Sequence, residues 1–338
     1  MTRIAVDAMG GDFAPTPIVQ GAVEAARQSP AIETLYLVGD QAVLERECEA
    51  LDDVPDSVQI HHASEVVSMD ESPAGAVRRK KDSSIGRAVD LVKEGAADAI
   101  FSAGNTGASV AATTLKLRTL EGVIRPAIAT VFPTKKPFVM LDAGATPDAS
   151  AEMLCHFAVM GSVYCQEVLE VSAPVVGLIS IGEEDAKGNE KTKEAFHLLE
   201  KSGLPFAGNV ESHDLFEGNV DVAVCDGFTG NVMLKTSEGL ARAISSWVRE
   251  EMTSRWNYKL GALLCRGAFS RIRNRVDPTA YGGAPLLGVN GVCVIGHGSS
   301  NARAANNAVH VASKFVEHQM NPHIIQLMDT VSKAIADA

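Results

Sequence analysis

Aromatic residues are scarce, at 5% of the 338 positions, so Val, Ile, Leu and Ala must fill most of the interior. That composition suits parallel sheets covered by helices. Positive charge is also in deficit: 30 Lys and Arg face 42 Asp and Glu, a net charge of −12. A nucleic acid is therefore not expected as a partner, because phosphate backbones demand basic faces. The six cysteines (Cys48, Cys155, Cys165, Cys225, Cys265 and Cys293) are scattered and form no CxxC. This argues against a disulfide framework or zinc site and suits a reducing cytosol, with the cysteines read as small buried hydrophobes. The N-terminal MTRIAVDAMGGD lacks the apolar core of a secretory leader, and no long uncharged apolar run suggests a membrane span. There is no GxxxxGK[ST], no GxGxxG followed by an acidic residue about 20 positions on, and no GxSxG. A Walker loop, a dinucleotide fingerprint and a nucleophile elbow are all unsupported.

What the chain has is alternation. Apolar strands are expected at 3–6, 34–38, 58–61, 99–102, 138–141, 175–181, 220–224 and 292–295. Helices are expected at 16–28, 84–93, 107–117, 150–164, 191–201, across 232–275 and at 299–318, with Thr16, Ser83 or Ser84, Thr106 and Ser150 as N-caps. Strand–helix alternation predicts an α/β fold with a mainly parallel sheet, read as one domain over residues 1–338.

Glycine-rich turns stand at the predicted strand ends: DAMGGD from Asp7, SAGNTGA from Ser102, DAGA from Asp142, SIGEE from Ser180, DGFTGN from Asp226 and GHGSS from Gly296. Open parallel sheets bind ligands at such places, and a helix N-terminus offers amide donors and positive dipole to an anion. Any one of these turns could be an ordinary βα connection; as a set they point to anion binding. Without a nucleotide signature, the anion is expected to be small, such as free phosphate. Two cation sources lie nearby, the Arg78-Arg79-Lys80-Lys81 run before Ser83-Ser84 and Lys187 beside Gly188.

DAMGGD, EVVSMDESPAGAVRRKKDSSIGRAVDLV, SAGNTGA, RPAIA, DAGA, SIGEEDAKGN, GFTGN, YGGAPLLGVNG and HGSSNARA occur in order between about residue 3 and residue 318. Together they resemble the bacterial phosphate acyltransferase (PlsX) family, the acyl-ACP:phosphate acyltransferases of phospholipid synthesis. The resemblance implies a three-layer α/β/α Rossmann-like sandwich similar to isopropylmalate dehydrogenase and phosphotransacetylase. It implies a homodimer that uses acyl carrier protein thioesters and inorganic phosphate, with no cofactor. It also implies a cytoplasmic enzyme held peripherally at the inner face of the cell membrane, where a glycerol-3-phosphate acyltransferase consumes the acyl phosphate.

Attack of phosphate on a thioester needs placement and oxyanion stabilisation more than a strong base, because the thiolate leaves readily. On that chemistry Gly10, Gly11, Gly104, Asn105 and Thr106 are expected to cradle phosphate, with donors from Lys81, Ser83 and Ser84. Lys187 is expected to neutralise charge, and Asn231 or His297 to act as oxyanion donor or thiolate acid. Asp7, Asp12 and Asp142 could hold Mg²⁺, but are read as orienting loop amides and lysines, with no metal.

A basic amphipathic stretch falls within about 240–275. From Arg255 to Arg275 there is no Asp or Glu, and Leu260, Leu263, Leu264, Ala268, Phe269 and Ile272 recur at helical spacing. Leu260, Leu263, Leu264 and Phe269 are expected to contact an anionic membrane, although a core or dimer helix would show the same spacing. The rival enzyme readings are a nicotinamide dehydrogenase, disfavoured by the missing fingerprint, and an acetyl phosphate transferase. The rival outside enzymology is a membrane-recruited scaffold, which would not need six glycine turns.

Overall fold

A computed structural model describes residues 1–276 and 282–337. Tyr281 of the YGGAPLLGVNG string lies outside them, as do the side chains of Arg273 and Arg275 from the basic segment.

In the first part of the chain, strands β1 (Thr2–Asp7), β2 (Ile32–Gly39), β3 (Val58–His62) and β4 (Ala99–Ser102) alternate with helices α1 (Thr16–Gln28), α2 (Gln41–Glu49), α3 (Pro73–Arg79), α4 (Ser84–Lys93) and α5 (Thr106–Leu117). Next come β5 (Ala127–Ile128), β6 (Thr130–Phe132), β7 (Phe138–Leu141), α6 (Ala151–Val168), β8 (Val176–Ile179), α7 (Glu190–Lys201), β9 (Phe206–Val210) and β10 (Val222–Val224). Three helices follow, α8 (Gly227–Ser254), α9 (Trp256–Leu264) and α10 (Arg266–Val276). The chain then returns through β11 (Ala284–Leu287), β12 (Val292–Ile295), α11 (Ala302–Glu317) and α12 (Met320–Asp337).

Two sheets result. The first has the order β3-β2-β1-β4-β12-β11-β5, and the second β6-β7-β10-β8-β9. In the first, β3 through β12 run parallel and β11 turns antiparallel; in the second, only β6 is antiparallel. Alternation along β1 sends Ile4 and Val6 into one apolar layer with α1 and α11, and Ala5 into another with α4 and α5. The first sheet is thus the middle of three layers, as the α/β expectation requires. Residues of both sheets, among them Met140, Ala223, Leu286 and Ile295, share a further core cluster.

Some local expectations differ from what folds. Pro15, not Thr16, stands at the N-cap of α1, and the Thr16 hydroxyl bonds Glu47 instead. Asn105, not Thr106, caps α5, because its Oδ1 reaches the Ala108 amide at 3.0 Å. Ser150 does cap α6, accepting from the Met153 amide. The local pattern does not mark the bounds of α2, nor α3, β5, β6, β9, β11 and α12. Most are short or carry proline, so they hold no periodicity of their own, and pairing with neighbours defines them. The exception, α12, packs Met320, Ile324, Met328 and Val331 against the core shared with α6.

Candidate active site

Strand order dictates where the glycine turns meet. β1, β4 and β12 are neighbours, so the loops that leave their carboxyl ends converge. The chain switches direction between β1 and β4, where such sheets open a crevice. Gly104 lies so near Gly10 that a Cβ on Gly10 would fall 2.8 Å from the Gly104 nitrogen. Gly11 has φ +128°, a conformation for glycine, and its Cβ would meet the Gly298 carbonyl oxygen at 3.3 Å. The Asp12 amide donates to that same oxygen at 2.7 Å. Backbone therefore touches backbone across three loops.

Beneath this cluster lies Asp7, 2% exposed. Its Oδ2 accepts a 2.6 Å hydrogen bond from Ser102, whose Oγ in turn accepts from the Gly104 amide at 3.2 Å. Burial pushes the Asp7 carboxyl up, opposed by the Ser102 and Ser84 hydroxyls and the Met9 and Gly10 amides. The other expected donors are distributed unevenly. Ser84 is buried at the start of α4, and the Ser83 hydroxyl donates to the Lys80 carbonyl. Lys80 is paired with Glu71 at 2.5 Å and donates to the Val66 carbonyl. Lys81, Thr106 and Asp12 are exposed. Asn105 turns its amide group away from an anion role: Nδ2 donates to the carbonyls of Ser68, Met69 and Glu71 at 3.0–3.3 Å. Its side chain clamps the β3–α3 connection onto α5.

The second sheet contributes a facing wall. Asp142, fully buried, accepts from the amides of Ile128, Gly144 and Ala145 at Oδ1 and of Thr146 at Oδ2. Burial raises its pKa, and those amides work against the rise. The GFTGN turn then docks α8 over it. A Cβ on Gly230 would fall 1.9 Å from the Asp142 carbonyl oxygen, and one on Gly227 2.5 Å from its Oδ2. Two glycines three residues apart are what lets this helix start against backbone. Asn231, exposed in the first turn, lies beside Gly144.

One turn further along α8, Lys235 reaches His297. The Lys235 Nζ stands 3.4 Å from His297 Nε2 and 3.1 Å from Glu238 Oε2, while His297 Nδ1 faces the Ser299 hydroxyl at 2.8 Å. This contact joins the wall to the glycine cluster, since His297 sits in the loop that carries Gly298. Lys235 belongs to no motif of the sequence. The signal was its i+4 spacing from Asn231, which places both on one helix face. Lys187 is elsewhere, in an exposed hollow lined by Ile181, Gly182, Glu183, Glu184 and Glu211, with Glu184 Oε2 at 3.9 Å.

Cys155, Cys165, Cys225 and Cys293 are buried, and burial pushes their thiols up, to about 11 for Cys155 and Cys293 and about 12 for Cys165. None of these is a ready thiolate. The remaining feature is the helical trio α8–α10. Leu260, Leu263 and Leu264 are 53%, 64% and 81% exposed, Phe269 is half-buried, and no residue of α9 is buried. No helix among the described residues is long and apolar enough to cross a membrane.

A family profile described as "Fatty acid synthesis protein" matches residues 2–323. A phosphate acyltransferase of Pelotomaculum thermopropionicum is 48% identical over 330 residues, covering 97% of this chain and 96% of the relative. The chain belongs to the phosphate acyltransferase family. A second member, from Pelobacter propionicus, is 50% identical over 330 residues and covers 96% of this chain and 93% of its own. As a member of this family the protein is an acyltransferase. Among solved structures, a phosphotransacetylase from Streptococcus pyogenes superposes with TM-score 0.62 at 14% identity, covering 94% of each chain. EutD phosphotransacetylase from Staphylococcus aureus gives TM-score 0.58 at 15% identity, covering 93% of this chain and 94% of its own. At such identities the likeness shows the fold, which is the α/β architecture expected from the motifs.

Proposed function

We propose that the protein transfers a fatty acyl group from an acyl carrier protein thioester to inorganic phosphate, releasing the carrier thiol and supplying acyl phosphate to phospholipid synthesis. The observation that carries this reading is the meeting of three glycine loops at β1, β4 and β12, closed from the opposite sheet by the Lys235–His297 contact. A phosphate oxygen attacks the thioester carbon, the carbonyl oxygen takes up negative charge, and collapse expels the thiolate, which gains a proton. The amides of Gly11, Asn105 and Thr106 hold the phosphate, while Gly10 and Gly104, whose own amides are donated to Asp7 and Ser102, keep the loops close enough for it. Ser83, Ser84 and Lys81 support the loop beside them, whereas Lys187, expected to neutralise charge, lies apart among Glu183, Glu184 and Glu211 and takes no part. Asn231 and His297, on facing walls, are the donors for the oxyanion and the departing thiolate. Asp7, Asp12 and Asp142 hold the loops in shape. Asp142 in particular collects four amides on one carboxylate, which suits ordering of a loop more than an additional cation.

The basic helical trio suits docking at the inner face of an anionic membrane, where Leu260, Leu263, Leu264 and Phe269 would enter the interface. Apolar side chains on the exposed part of α8, such as Leu240, Ile244 and Trp247, suit a homodimer that presents two such segments together. The acyl phosphate would pass there to a glycerol-3-phosphate acyltransferase. The deciding experiment supplies purified protein with acyl carrier thioester and phosphate alone. Acyl phosphate and free carrier thiol should appear in equal amounts; a requirement for an added nucleotide or coenzyme A would overturn the reading. Sedimentation with anionic vesicles, lost in a Leu263→Glu, Leu264→Glu double variant that still folds, tests the membrane contact.

A further inference from the structure

We infer that Lys235 is the cation that binds the transferred phosphate, an inference that rests on the phosphate acyl transfer proposed above. Four other lysines near the strand ends are engaged elsewhere. Lys80 is held by Glu71 and the Val66 carbonyl, and Lys116 by Asp90 and the Gly86 carbonyl. Lys191 is paired with Asp148, and Lys187 stands among three glutamates. Lys235 alone of these five bridges to the glycine cluster, through His297 of the loop whose Gly298 carbonyl receives the Asp12 amide.

The geometry also shows how the cation is kept ready. Glu238, one turn on, holds the Lys235 ammonium at 3.1 Å, and Arg242 lies 4.0 Å from the same carboxylate oxygen. A phosphate dianion entering the cluster competes with Glu238 for Lys235, and Arg242 is in place to keep Glu238 compensated. The exchange swaps one anion for another, so the lysine keeps a partner throughout. On this assignment Lys235 holds phosphate from the α8 side, through the loop of His297 and Gly298 whose carbonyl meets the Gly11–Asp12 turn. It thereby fixes the nucleophile between the two halves, with Asn231 one turn back on the same helix face.

The test compares Lys235→Met, Lys235→Arg and Glu238→Gln with the wild type, in initial rates at varied phosphate and varied acyl carrier thioester. Loss of one hydrogen bond to a charged group, worth ~1.5–3 kcal/mol, corresponds to a rise in phosphate KM of about 10- to 150-fold for Lys235→Met. The KM for the acyl thioester should stay within about threefold of wild type, because the lysine is assigned to phosphate alone. Lys235→Arg should recover part of the loss, and Glu238→Gln, which removes the competitor, should lower the phosphate KM. At one phosphate concentration, inorganic phosphate should also raise the thermal midpoint of the wild type more than that of Lys235→Met, a readout independent of turnover. A phosphate KM near wild type in Lys235→Met, or equal stabilisation of both proteins by phosphate, would overturn the inference. Failure of the wild type to form acyl phosphate would instead overturn the proposed function, with the stabilisation measurement still deciding whether Lys235 binds phosphate.

Discussion

Replacing Gly10 with alanine probes the glycine cluster at its tightest point. The added methyl would sit 2.6 Å from Asp7 Oδ2 and 2.8 Å from the Gly104 nitrogen. Both are about 0.7–0.9 Å inside an optimal contact of roughly 3.5 Å. Asp7 has no room to swing away, being 2% exposed and tied to Ser102 at 2.6 Å. The Gly10–Gly11 turn must therefore move instead. Overpacking of this kind costs about 1–3 kcal/mol of stability. Displacing an anion cradle by about 1 Å costs on the order of 100-fold in rate. Gly239→Ala supplies the control. It lies within α8, nothing stands within 4 Å of its added carbon, and alanine there should stabilise the helix by up to about 1 kcal/mol. Thermal unfolding and acyl phosphate formation at varied phosphate would be measured on both variants. A Gly10→Ala protein whose kcat/KM for phosphate stays within about threefold of wild type would refute the placement of the cradle.

Asn105→Asp should separate the two contacts that Asn105 makes. The helix cap survives, but a carboxylate now faces the carbonyls of Ser68, Met69 and Glu71, so the midpoint of thermal unfolding should fall by the equivalent of about 1–3 kcal/mol; an unchanged midpoint would contradict the clamp. His156, 7% exposed, has its pKa lowered by burial, with Glu152 opposing. The unfolded chain then binds a proton near pH 6.5 that the folded one refuses, so His156 makes stability fall as pH drops from about 6.5 towards the folded pKa. His156→Asn should flatten the stability–pH curve in that window, and an unaltered slope would show that other groups govern it.

Much of the architecture is written in local pattern. The bounds of β4, β7 and β12 follow from apolar runs of three or four residues ahead of turn residues, because nearly every position in them is buried and the run needs no partner to be recognised. The order of glycine motifs carried the family, since each marks a turn that tolerates no side chain: Gly11 with φ +128°, Gly230 with a Cβ 1.9 Å from Asp142 oxygen. Residue type and spacing also marked Asp142 as a group to be placed at a strand end. Tertiary structure decided the rest. β11 and β5 exist only through antiparallel pairing, and no periodicity of two fits in a two-residue strand. Asn105 reads as an anion donor beside two glycines, yet the β3–α3 connection lies over it and takes its amide protons, a contact with residues 34–37 positions away. Lys235 gives no motif of its own. It becomes part of the site because Gly227 and Gly230 let α8 start against Asp142, which aims the next turn at a histidine 62 residues later in the chain. Local chemistry determines which turns can bind an anion; only the packing of two sheets determines which cation reaches it.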